Sequence, residues 1–352
     1  MNTATAVPPT GTSAPVPPTG TSTSSAPNAS ATTAPSASAT TTPTGAPLHP
    51  TVARRFCIAG GVESASTHSV LAVLNSTTGT AHIAVTFYFA DSSVRTASFI
   101  VPANARRSVS VAGLAKRRGN VGLCVASDRA VTGQLNLTRP GKDGDSVVGN
   151  VDLGRRWYLA EGYTSGSFHE TVALLNPSAF HAATVRLRRL LPGGRGNRTV
   201  TERVGAHSER LVDINSLVRN TAVSIVADAD RAILVERTLT FSSGGYGLTT
   251  REAAPDAATS WQFAQGSTVA PFQTFLTILN PQGGRANVTV SFFAANGRRL
   301  GRRTLTLAAR GRATLRVNDI VPRRGGVASV VTSDRPVVVE RSEYVGSPRR
   351  RV

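Results

Sequence analysis

From Thr51 onward, apolar and polar residues alternate over short stretches, and the stretches are separated by Gly, Asn, Asp and Pro. A period of two marks a strand with one buried face, because successive side chains point to opposite sides. In the clearest region the pattern predicts strands near Arg156 to Gly162, Glu170 to Asn176, Ala183 to Leu191, Arg198 to Val204, Glu209 to Ile214, Ala222 to Ala227 and Ala232 to Phe241, with an eighth at Gly247 to Arg251. That many strands in about a hundred residues suit two antiparallel sheets packed face to face.

The pattern recurs. W-Y-L-A-E-G from Trp157 is followed by T-V-A-L-L-N-P to Pro177; W-Q-F-A-Q-G from Trp261 leads to F-L-T-I-L-N-P at Pro281; F-C-I-A-G-G from Phe56 leads to V-L-A-V-L-N-S at Ser76. The Leu-Asn steps, Leu74-Asn75, Leu175-Asn176 and Leu279-Asn280, fall about one domain length apart. Three β-sandwich domains are therefore expected, at 51–153 (divergent), 154–257 and 258–352. A propeller with two blades per repeat would need a half-period echo, which the sequence lacks.

Superposing the copies assigns faces. Leu71, Val172 and Leu276, then Val73, Leu174 and Ile278, point inward, as do Ile83, Val85 and Phe87 with their counterparts Val185, Leu187, Val288, Val290 and Phe292. The segments S-D-R-A-V, A-D-R-A-I and S-D-R-P-V place Asp128, Asp230 and Asp334 at a turn in the final hairpin, where a short carboxylate accepts from backbone N–H groups two residues on. The runs Ile233-Leu234-Val235 and Val337-Val338-Val339 predict a strand covered on both faces or lying against a neighbouring domain.

Residues 1–50 carry no acidic or basic charge and are nearly all Thr, Ser, Ala, Pro or Gly. Such a segment has too little apolar surface to offset its chain entropy, so a disordered linker or stalk is expected there. The net charge is +19, and all the basic residues except Lys116 and Lys142 are Arg. A GC-rich genome produces that skew without a binding surface. Arg186, Arg188 and Arg189 are read as one outward cluster and Arg349, Arg350 and Arg351 as a basic tail, the candidate contacts for an anionic polymer. No apolar run is long enough to span a membrane, and no signal peptide is legible after Met1.

The strongest polar columns are Glu161 with Gln265 and Glu236 with Glu340. Opposed carboxylates could act as acid and base, but copy one has Gly60 and Gln134 there, and no His, Ser or Cys partner recurs. A structural role is expected, in which they accept buried N–H groups or pair with Arg237 or Arg341. His68 and His169 correspond, yet Gln273 stands in the third copy, and no zinc spacing, nucleophile elbow or phosphate loop occurs. No catalytic residue, cofactor or metal is expected. The two cysteines leave alternatives open: Cys124 aligns with Val226 and Val330 and is read as inward, Cys57 aligns with Tyr158 and Gln262 and is read as outward. Opposite faces argue against a bond, whereas an oxidising compartment and the absence of other cysteines argue for one.

Together, W-Y-L-A-E-G, L-L-N-P and D-R-A-I-L-V-E-R resemble the W-Y-F-A-E-G repeats found in tandem in secreted and cell-surface proteins of actinobacteria and Chloroflexi. The resemblance implies immunoglobulin-like β-sandwiches in an extracellular or cell-surface setting, and no catalytic activity. Copy one departs from it at Gly60, Gln134 and Leu135. The expectation is a monomeric, non-enzymatic structural or adhesive module. Its partners would be envelope polysaccharide or another surface protein, with no specific nucleic acid. A basic module for anionic envelope polymers and the accessory domains of a carbohydrate-active enzyme are the alternatives.

Overall fold

The computed structural model describes residues 53–242 and 247–345; the linker expected over 1–50 and the Arg349 to Arg351 tail lie outside the described residues. Three antiparallel, immunoglobulin-like β-sandwiches follow one another with the same strand order. The first holds β1 (Ala53–Glu63), β2 (His68–Asn75), β3 (Ala81–Tyr88), β4 (Val94–Val101), β5 (Ala105–Ser110), β6 (Gly119–Arg139) and β7 (Asp143–Val148). The second holds β8 (Gly154–Leu159), β9 (His169–Asn176), β10 (Ala183–Leu190), β11 (Arg198–Val204), β12 (Ser208–Asp213), β13 (Ser224–Phe241) and β14 (Gly247–Glu252). The third holds β15 (Ala258–Phe263), β16 (Phe272–Asn280), β17 (Ala286–Phe293), β18 (Arg299–Leu307), β19 (Gly311–Arg316) and β20 (Ala328–Val345). The expected inward columns do form the cores: Leu71 and Val73, Val172 and Leu174, and Leu276 and Ile278 are all fully buried.

One long strand per domain, β6, β13 or β20, belongs to both sheets. Its first half pairs with β1 and β3, or their counterparts, and its second half with β2. This corrects the expected hairpin. Asp128, Asp230 and Asp334 sit within a continuous strand where it leaves one sheet for the other: Ser127 still pairs with Ile83, and Thr132 already pairs with Leu74. Divergence of the two sheets would strand one backbone N–H of the third strand, and the Asp supplies its acceptor. Asp128, Asp230 and Asp334 accept from the N–H of His82, Thr184 and Asn287, each at 2.8 Å.

Two further recurrent residues fasten this crossover. The Trp157 indole N–H donates to the carbonyl of Ile233 at 3.0 Å, and that of Trp261 to Val337 at 2.8 Å. At the end of the second strand Asn75, Asn176 and Asn280 are fully buried. Each uses its amide nitrogen on loop carbonyls, as Asn176 does with His181 and Gly205 at 2.8 Å, and its oxygen on an N–H two residues on.

The cysteine faces are also corrected. Cys57 and Cys124 stand directly opposite on β1 and β6, on one side of the sheet, and are joined as a disulfide with Cα atoms 4.1 Å apart. The column Cys124, Val226, Val330 looks like core because it is apolar. In fact Val226 lies on the outer face, where it packs with Tyr158 and with Leu279 and Val338 of the next domain. The cystine likewise packs against the core of the second domain.

Candidate functional site: the domain junctions

The A-G-G segment, at a bulge within β1 between Ile58 and Gly61, and the A-E-G segment, which follows β8, seat on the next domain. Ala59 and Ala160 are fully buried there. The receiving face is formed by the β2-type strand, the β5-type strand and the second half of the long strand. Leu175 and Glu209 lie close to Gly122 of domain one, and Leu279 and Val338 pack with Ala160. The doubly apolar runs at Ile233 and Val337 are thus explained: one side faces the domain's own core and the other meets its neighbour.

Between domains two and three the joint is a charged network. The Ala160 N–H donates to Glu340 Oε1 at 2.6 Å, and Arg237 Nη1 donates to Glu340 Oε2 at 3.0 Å and to the Glu161 carbonyl. Glu161 accepts from the Thr277 hydroxyl and, at 3.5 Å, from Tyr344. Arg312 Nε donates to Ser224 Oγ at 3.0 Å, and Ser224 donates to the Ala160 carbonyl. Burial opposes the charge on Arg237, yet Glu340, Glu161 and Glu170 hold its pKa above the ordinary guanidinium value. Gly162 has to be glycine: a Cβ would stand 2.4 Å from the Val223 carbonyl and 2.7 Å from Glu170.

Between domains one and two the chemistry is reversed. The inserted segment carries Gly60 instead of Glu161, and the receiving face supplies the carboxylate: the Gly60 N–H donates to Glu209 Oε1 at 2.7 Å. Glu209 occupies the place of Arg312, since they pair with Leu175 and Leu279. Burial pushes Glu209 up to about 8, the Gly60 N–H opposing. Burial also raises Glu236 well above the carboxylate range, with the Ala59 N–H opposing and Glu252 and Glu209 adding to the rise. The Ala59 N–H faces Glu236 without closing a well-formed hydrogen bond, and neither carboxyl oxygen has another partner. Glu170, pushed up to about 8 by burial, takes the place of Ser69 and Thr274. Those hydroxyls both donate to and accept from the backbone of Val62 and Ser267, whereas neither oxygen of Glu170 closes a well-formed hydrogen bond.

The structure breaks up the expected Arg cluster. Arg186 is exposed, Arg188 pairs with Asp228 at 2.9 Å, and Arg189 points to the other side, 7% exposed, where Nη1 donates to the Leu217 carbonyl. The reason is strand alternation, which puts adjacent residues on opposite faces. His68 and His169 lie apart from the network, beside Glu63 and Asp213 respectively. Glu209, Arg312 and Thr277 escaped the sequence reading because their columns change identity between copies; the Asn column was visible as a repeat marker, though not as a loop anchor. A cleft of about 630 Å³ opens beside the network, lined from all three domains by residues including Asp145, Arg251, Phe241, Arg341, Glu343 and Tyr344. Among the described residues no cluster of His, Cys, Asp and Glu could hold a metal ion, and no helix is long and apolar enough to cross a membrane.

No protein-family model matches the chain, and no curated protein does. Among solved structures, Thermotoga maritima 1070 is similar to it at 15% identity and TM-score 0.27, over 29% of this chain and 93% of that one. The Anabaena sensory rhodopsin transducer is similar at 28% identity and TM-score 0.23, over 24% of this chain and 96% of that one. A Streptomyces avermitilis alpha-L-rhamnosidase complexed with L-rhamnose is similar at 11% identity and TM-score 0.19, over 86% of this chain and 44% of that one. Scores this low carry nothing about function.

Proposed function

We propose that the chain is a non-enzymatic spacer or adhesive module at the outside of a bacterial cell, carried on the Pro/Thr/Ser-rich segment and related to the tandem W-Y-F-A-E-G repeats. The observation that carries this reading is the use of the recurrent polar residues: Ala160, Glu161, Arg237 and Glu340 join one sandwich to the next. An array that sets a distance needs stiff joints, and buried, hydrogen-bonded joints are stiff. The cystine supports an oxidising compartment. A second reading, in which envelope polysaccharide is held, draws on the three-domain cleft, where guanidinium groups, carboxylates and aromatic rings suit a polyhydroxylated ligand.

Small-angle scattering of the full chain tests the first reading: one fixed arrangement of the three domains is expected, and freely pivoting domains would refute it. A glycan and anionic-polymer panel beside a hydrolase screen completes the test. Turnover that disappears in Glu161→Gln or Glu340→Gln would replace the spacer with an enzyme. Salt-resistant binding of one glycan, lost in Arg251→Ala, would establish the second reading.

A further inference from the structure

The two filled junctions show what an unfilled one looks like, and the chain has both halves of one. Leu175 and Leu279 are fully buried under a neighbouring domain, but their counterpart Leu74 in domain one is 44% exposed. Likewise Ala59 and Ala160 are fully buried, whereas their counterpart Ala264, in the A-Q-G segment of domain three, is exposed. We propose that the chain associates head to tail, with the segment Ala264-Gln265-Gly266 of one copy seated on the Leu74 face of a second copy, continuing the interface that already joins its own domains.

The chemistry on the two free ends matches. Glu340 receives the Ala160 N–H in the filled junction. In domain one Gln134 holds that place and donates its amide nitrogen to Asn136 at 2.8 Å, which turns its carbonyl oxygen to the same use toward Ala264. Arg106, exposed at the position of Arg312, faces Gln265 as Arg312 faces the Glu161 charge in the filled junction. No unpaired carboxylate is buried by this contact, so it avoids the desolvation penalty that a misplaced charge would bring. The ends are also more polar than the internal faces, with Gln262 in place of Tyr158 and Thr132 in place of Val338. The association is therefore weaker than the covalently linked junctions and depends on concentration. A heterologous contact of this kind repeats from copy to copy and builds chains of molecules, or rings where the rotation closes.

Sedimentation velocity on the full chain, from micromolar to millimolar concentration, tests this. The mean sedimentation coefficient of the wild type is expected to rise with concentration. Leu74→Glu and Ala264→Glu, both at exposed positions and checked for folding by circular dichroism, each abolish the rise. Mixing the two variants leaves one good face of each kind and restores association, limited to dimers. A wild type that stays monomeric to millimolar concentration, growth that persists in either variant, or a mixture that fails to pair would each overturn the proposal.

Discussion

Stability should fall as pH rises through the neutral range, because the joint between domains one and two buries carboxyl groups in their acid form. Glu209 has its pKa raised from 4.5 to about 8, and Glu236 is raised further. Below the unfolded-state pKa both states are protonated and nothing is lost. Above it the unfolded chain ionises while the folded one resists, so the stability these groups contribute drains away as pH climbs through the folded-state value. For Glu209 the gap is worth up to about 5 kcal/mol, comparable with the whole stability of many domains. The lowered groups, Asp91, Asp128 and Asp334, act in the opposite direction and only at acid pH, because they lose stability as pH falls. Glu170 titrates in the same window as Glu209 and sits against Gly162, with Arg237 beside it. The assay is urea unfolding of wild type, Glu209→Gln and Glu236→Gln from about pH 5 to about pH 9. The neutral Gln variants should be as stable as wild type at the acid end and more stable at the alkaline end. Wild-type stability that is flat or rising over this range, with the variants running parallel to it, would refute the argument.

Other substitutions separate the parts of the fold. Trp157→Ala should cost about 3 to 5 kcal/mol in denaturant melts, because a fully buried ring and its bond to the Ile233 carbonyl both vanish; Trp261→Ala should cost less, since that ring is only half-buried. Asn176→Ala leaves the His181 and Gly205 carbonyls without their donor and should cost about 2 to 3 kcal/mol by the same measurement. Reducing Cys57–Cys124, which are separated by 67 residues, should lower stability by about 4 kcal/mol in the chain-entropy account, read as a fall in denaturation midpoint with reductant.

The fold was legible where one physical cause acted alone. Leu71, Val73, Ile83 and Val85 alternate because only the core covers them, and the period of two gave their faces correctly. It failed where a second cause was superimposed. Val226 is apolar because another domain lies on it, and a reading confined to one domain turns it inward; Leu234, covered in the same way, was legible because the residues on either side of it are apolar too. The Asp128 column was read as a hairpin because an Asp between strands usually marks one; a strand that changes sheets also needs a side-chain acceptor and leaves the same trace. At the junctions Glu161 and Glu340 were visible as a column, but Arg312 was not. Its partner lies in another copy, and an alignment of copies compares equivalent positions rather than touching ones.

That difference between equivalence and contact accounts for the irregular columns. If each sandwich docked on the next by an identical surface, Glu161 would have a carboxylate counterpart in every copy, and any domain could seat on any other. Instead the acid moves across the joint: domain two presents Glu161 and Arg237 to a face holding Arg312 and Glu340, while domain one presents Gly60 to a face holding Glu209 and Glu236. Exchanging the segments would bury Glu161 beside two acidic groups at one joint and leave the buried Arg312 without the Glu161 carboxylate at the other. Either mismatch costs several kcal/mol, more than the hydrogen bonds at a joint return. Gly60, which looks like decay when the copies are compared in columns, is the residue that keeps the first sandwich from taking the place of the second.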